Sequence, residues 1–152
     1  MKKFSVVFLL MLLIFSTGCG ATQSATSNVQ TEVQEVQNMQ IKISVNGKKF
    51  EIVLENSESA REFYEMLPLE VTMNELNGNE KYVRLNKNLP SKDSRAGIIN
   101  AGDLMLWSSN TVVLFYETFS SSYSYTRLGK ILNPVDLSET VGNGNIQVKF
   151  EK

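Results

Sequence analysis

The chain has 152 residues with 15 basic and 16 acidic side chains, one cysteine, one tryptophan and no histidine. That length suits one domain around one core, and the near-neutral balance argues against a nucleic-acid surface. Without histidine the commonest general base and the commonest zinc ligand are both missing, so Ser-His-Asp and Cys-His catalysis are excluded; no metal and no cofactor is expected.

Lys2 and Lys3 give a basic start, residues 6–15 form an apolar run, and Ser16-Thr17-Gly18 are small. This predicts a secretory signal over residues 1–18, too short for a membrane span. Cys19, the lone cysteine, follows. Ser-Thr-Gly-Cys resembles a bacterial lipobox, with Ser16 where that motif usually carries Leu. The resemblance implies cleavage before Cys19 and lipidation of its thiol; the alternative is an ordinary signal peptide with an incidental cysteine. Each buried CH₂ of a fatty chain such as palmitate contributes about 0.8 kcal/mol, and more than one chain gives stable attachment. The expected location is therefore the cell membrane, anchored through Cys19 on the extracytoplasmic face. Loss of Lys2 and Lys3 leaves a formal balance of 13 − 16 = −3, and no second cysteine remains for a disulfide.

Residues 19–38 are rich in Gln, Ser and Thr, with no aromatic and no large aliphatic beyond valine. Such a segment buries too little apolar area to offset chain entropy and reads as a flexible tether. The domain is expected over residues 39–152. It opens with IKISV and FEIVL around Asn46-Gly47, a strong hairpin signal. SESAREFYEMLP follows, with Ala60, Phe63, Tyr64 and Leu67 at helical spacing and Ser59 and Glu62 at capping-box spacing; Pro68 ends the helix.

LEVTMNEL and KYVRL flank Asn77-Gly78-Asn79 as a second hairpin, too sparse in acidic ligands for a calcium loop. Residues 86–100 lack a clear period and read as a long solvated loop. GDLMLWSS and TVVLFYETF then form two apolar strands around Ser109-Asn110, Ser120 to Ser122 make a turn, and SYTRLGKI is a further strand. Asp136 to Glu139 has capping-box spacing for a last short helix, and Gly142 and Gly144 break it before the strand NIQVKF. Glu70, Glu75, Asp103 and Glu117 read as surface charges beside turns. The expected class is mainly β, with about eight strands and one or two short helices in a closed antiparallel barrel.

Of eleven aromatics beyond residue 18, six fall in one stretch: Trp107, Phe115, Tyr116, Phe119, Tyr123 and Tyr125. Tyrosine and tryptophan combine apolar area with a polar handle, which suits a binding wall, although strands are rich in aromatics by propensity alone. If the strand through Leu128 reaches back to Tyr123, then Tyr123, Tyr125 and Arg127 share the face opposite that leucine. They would form an outward, partly cationic strip.

The order of these segments resembles the small bacterial cyclophilin-like proteins. VNGKKFEIVLENSESAREFYEML is similar to the hairpin and helix that open a cyclophilin, AGDLMLWSSN to its Gly-x-Leu strand, VVLFYET to the aromatic strand that follows, and RLGKI to its Phe-Gly-Lys-Val. The resemblance implies an eight-stranded barrel with helices at its ends. It also implies a slot for a proline ring, used in that family for cis/trans isomerisation of X-Pro bonds across a barrier of roughly 18–20 kcal/mol. The family marks its catalytic arginine with Phe-His-Arg on the strand after the first helix, where this chain reads LEVTMNEL. By the same matching Phe115 lines the slot, and Tyr125 stands at the family's pocket histidine. The expectation is a domain that binds a peptide or small ligand without catalysis through Phe115, Tyr123, Tyr125, Arg127, Trp107 and Phe119. The alternative is a peptidyl-prolyl isomerase acting on exported proteins.

Overall fold

A computed structural model describes residues 39–152; the signal segment, Cys19 and the tether lie outside the described residues. Nine strands form: β1 (Gln40–Val45), β2 (Lys48–Leu54), β3 (Leu69–Leu76), β4 (Glu80–Arg84), β5 (Ser94–Ile99), β6 (Asp103–Trp107), β7 (Thr111–Phe115), β8 (Phe119–Ile131) and β9 (Ile146–Glu151). Two short helices join them, α1 (Glu58–Glu65) and α2 (Leu137–Val141).

Asn46 and Gly47 both take positive φ, 48° and 81°, so a two-residue turn matches the twist of the strands it joins. In β1, Ile41, Ile43 and Val45 are buried while Lys42 between them is exposed, the period-two pattern of a half-buried strand. All pairings are antiparallel. The order β2-β1-β9-β3-β4-β7-β6-β8 closes on itself through β8 against β2, giving an eight-stranded barrel, and β5 pairs only with β8 outside the ring. At the closing seam Gly129 lies opposite Leu54, and a Cβ there would stand 2.5 Å from the Val53 carbonyl oxygen.

The helices close opposite ends. Phe63 of α1 is fully buried and meets Phe150 edge to face at 5.5 Å, while Leu137 and Val141 of α2 are buried at the other end, near the β1–β2 turn. Neither expected capping box forms. Ser57 caps α1 by accepting from the Ala60 N–H, and Ser59, two residues later, is buried and donates to the Pro90 carbonyl at 2.6 Å. Asp136 takes φ 64°, turns its carboxylate away from the helix, and pairs instead with Lys48 at 2.7 Å.

Two more expectations are corrected. Residues 94–99 are a strand rather than part of a long loop, and Ser120 to Ser122 belong to β8 rather than to a turn, because the serines lie along β5 with Ser121 opposite Gly97 and Ser120 opposite Ile98. Glu75 and Asp103 are not free surface charges either. Asp103 is buried against Arg127, and Glu75 accepts from the fully buried Lys81 and from the Tyr116 hydroxyl. Lys81 also donates to the carbonyls of Gly142 and Gly144, at 2.6 and 2.7 Å, tying the end of α2 to the barrel.

Candidate functional site

Alternation on β6 and β7 separates two apolar clusters. Leu104, Leu106, Val112 and Leu114 point into the barrel, and Met105, Val113 and Phe115 point outward to a second cluster with Ile99 and Tyr125. The first part of β8 and its partner β5 fold over that outward face. Between this ribbon and the barrel wall lies a cleft of roughly 670 Å³.

Strand register explains which residues reach it. Leu76 stands opposite Glu80, Tyr82 opposite Val113, Arg84 opposite Thr111, and Thr111 opposite Trp107. All of these line the cleft. Glu80, Tyr82 and Arg84 thus run along one face of β4, with Glu80 and Arg84 about 13 Å apart at a strand's rise per residue.

Of the residues singled out from sequence, Trp107, Phe119, Tyr123 and Tyr125 line the cleft. Phe115 lies behind them, fully buried, 5.5 Å from the Tyr125 ring and 5.7 Å from that of Phe119. Arg127 stays outside, 3.4 Å from Asp103 and 3.5 Å from the Ala96 carbonyl. The expected outward strip therefore does not form. Tyr123 is 69% exposed, but Tyr125 is only 7% exposed, because β5 and the aromatic cluster cover it. A register shift between Leu104 and Met105 places Gly129 and Arg127, with Leu128 between them, opposite consecutive β6 residues.

Sequence reasoning missed Asn79, Glu80, Tyr82 and Arg84. The available signal was the alternation in EKYVR, obscured because its inward-facing residues are Lys81 and Val83, one of them charged.

Burial pushes the Glu80 carboxyl above its usual range, and the charge of Glu75 adds to the rise. Burial likewise raises the Tyr125 hydroxyl, helped by the charges of Glu80 and Tyr123. On the inner side, burial also pushes Glu75 up. Hydrogen bonds from Lys81, Tyr116 and the Gly78 N–H, with the Lys81 charge, outweigh it and hold that carboxyl below the usual range. Burial and the hydrogen bond to Glu75 push Tyr116 up to about 12.

The profile of the Cyclophilin-like family matches residues 43–151. The chain belongs to the cyclophilin-like family. Among solved structures, this cyclophilin-like chain is similar to the hypothetical protein AF2241 from Archaeoglobus fulgidus, with a TM-score of 0.52 and 22% identity over 76% of this chain and 95% of that one. It is also similar to McbB, determined in complex with tryptophan, with a TM-score of 0.54 and 12% identity over 74% of this chain and 44% of that one. At these identities the likeness is one of fold. No curated protein matches the chain.

In this cyclophilin-like barrel the strand after the first helix, β3, reads LEVTMNEL, with no arginine and no histidine. The arginine that lines the cleft is Arg84, on β4. Among the described residues no group of three metal-ligating side chains assembles, and no helix is long and apolar enough to cross a membrane.

Proposed function

We propose that the protein is a membrane-anchored extracytoplasmic lipoprotein whose cyclophilin-like domain binds a peptide segment or small ligand in the outer-wall cleft without catalysis. The observation that carries this reading is the survival of an aromatic cleft beside a β3 strand that lacks the family's arginine. Aromatic walls supply apolar contact at small conformational cost, so the cleft can hold an occupant without acting on it. McbB, similar in fold, is described in complex with tryptophan, and tryptophan is accordingly one of the probes we would test.

The expected result is binding of proline-containing peptides or of tryptophan that Tyr125→Ala weakens, with no acceleration of prolyl isomerisation. Arg84 favours a second reading, since it brings a guanidinium to the cleft from another strand. On that reading the protein is a peptidyl-prolyl isomerase, the same assay shows clear acceleration, and Arg84→Ala abolishes it. Anchoring is checked separately: Cys19→Ser should release the protein from the membrane fraction and remove the mass of the lipid. Retention in that fraction with unchanged mass overturns the lipoprotein reading.

A further inference from the structure

The two ends of the cleft differ in charge. At one end Glu80 is only 8% exposed and makes no hydrogen bond or ion pair among the described residues. Beside it in sequence, and also on the lining, Asn79 leaves its side-chain oxygen enclosed without a donor. An enclosed acceptor left without a donor is unfavourable, as at Asn79, and a carboxylate such as that of Glu80 becomes so when an occupant of the cleft removes its remaining water.

No neighbouring cation among the described residues relieves Glu80. Lys81 faces the other side of the sheet, where Glu75 and the two glycine carbonyls occupy its ammonium group. Arg84 is two side chains further along the same face of β4. Glu75, on the neighbouring strand, adds negative charge. This end of the cleft therefore offers acceptors and a negative potential, with Tyr82, Phe119 and Tyr125 also on the lining, residues of the kind whose ring faces attract a cation.

We propose that the Glu80 end of the cleft recognises a cationic hydrogen-bond donor on the ligand, an ammonium or guanidinium group seated against Glu80 and Asn79. The proposal rests on the cleft being the ligand site and specifies the chemistry that site selects. The donor comes from a lysine or arginine side chain, from a free amino terminus, or from a small amine. An uncharged occupant leaves the carboxylate buried and unpaired, so the selection works as much by penalty as by attraction.

Four probes separate the sources: a terminally blocked Phe- and Ala-containing pentapeptide with one lysine, the same peptide with glutamine in its place, a lysine-free peptide with an open amino terminus, and butylamine. Each is titrated into the full chain by calorimetry. Emission of Trp107, the single tryptophan and a lining residue, is followed in parallel. The lysine or open-terminus peptide should bind at least about tenfold tighter than the neutral peptide, the ratio that one charge-assisted hydrogen bond supplies. Glu80→Gln should erase that ratio, and Asn79→Ala should reduce it.

Equal affinity of the lysine and glutamine peptides overturns the proposal, as does a preference that survives Glu80→Gln; binding of the neutral peptide leaves the ligand-site reading standing. Silence of every probe overturns both. If Glu80→Gln does not fold, the same ratio is read on Asn79→Ala, and an unchanged ratio there overturns the proposal.

Discussion

Replacing Lys81 by methionine tests what holds the α2 end of the barrel. Methionine fills a similar volume but removes three hydrogen bonds, to Glu75, to Gly142 and to Gly144, and the cation 5.0 Å above the Tyr116 ring. Removing one partner of a buried ion pair destabilises by about 3–5 kcal/mol. The lower end applies here. Glu75 keeps the Tyr116 hydroxyl and the Gly78 N–H and is 22% exposed, and Gly144 lies at the surface where water replaces the lost donor. At about 4 °C per kcal/mol for a domain of this size, Tm should fall by about 12 °C.

The pH dependence has a definite sign. In the native protein the Glu75 carboxyl is held below its usual range, so its contribution is present above the unfolded-state carboxylate pKa and is lost as pH falls through the lower folded value. Lys81→Met forfeits most of that contribution, so its deficit against the parent should shrink from pH 7 toward strongly acid solution. Adding Glu75→Gln should recover about 1 kcal/mol or more at pH 7, because the unpaired charge is gone. Urea unfolding at several pH values measures all three effects. A Lys81→Met protein within about 1 kcal/mol of the parent at pH 7, or a deficit that does not vary with pH, would refute the reasoning.

The closing seam and the cleft give two further outcomes. Gly129→Ala places a methyl 2.5 Å from the Val53 carbonyl oxygen, a backbone atom that cannot step aside; it should destabilise by about 1–3 kcal/mol, in the range of overpacking, and speed amide exchange along β2 and the end of β8. Glu80→Gln should stabilise the unliganded protein. The Glu80 carboxyl is raised on folding, so its ionisation opposes folding as pH climbs past the unfolded value, and the advantage of glutamine should grow with pH until the folded group is fully ionised. A melting scan at pH 4 and pH 8 reads that difference, and no gain at pH 8 contradicts it.

The hairpins were legible because Asn46-Gly47 and Asn77-Gly78 supply positive φ between alternating strands. The helix at Phe63 was legible from its period, but its cap was placed two residues late: the sequence holds two serines, and only packing sends Ser59 to Pro90. β5 left no mark, since SRAGII has a bulge at its centre and one buried residue, Ile99. For the cleft, aromatic clustering found the β8 side. The β4 side was hidden because a lysine occupies the inward position that pattern reading reserves for an apolar residue, and its partners Glu75, Gly142 and Gly144 are distant in sequence or on another strand.

β8 runs for 13 residues and leads two lives along one strand. Its second half is stitched between β6 and β2 and must keep Gly129, whereas its first half pairs only with β5 and supplies Phe119, Tyr123 and Tyr125 to the cleft. A change in the ribbon leaves the pairing of the ring intact, so transplanting residues 94–99 and 119–124 between barrels of this family should reshape the cleft wall with little loss of the scaffold.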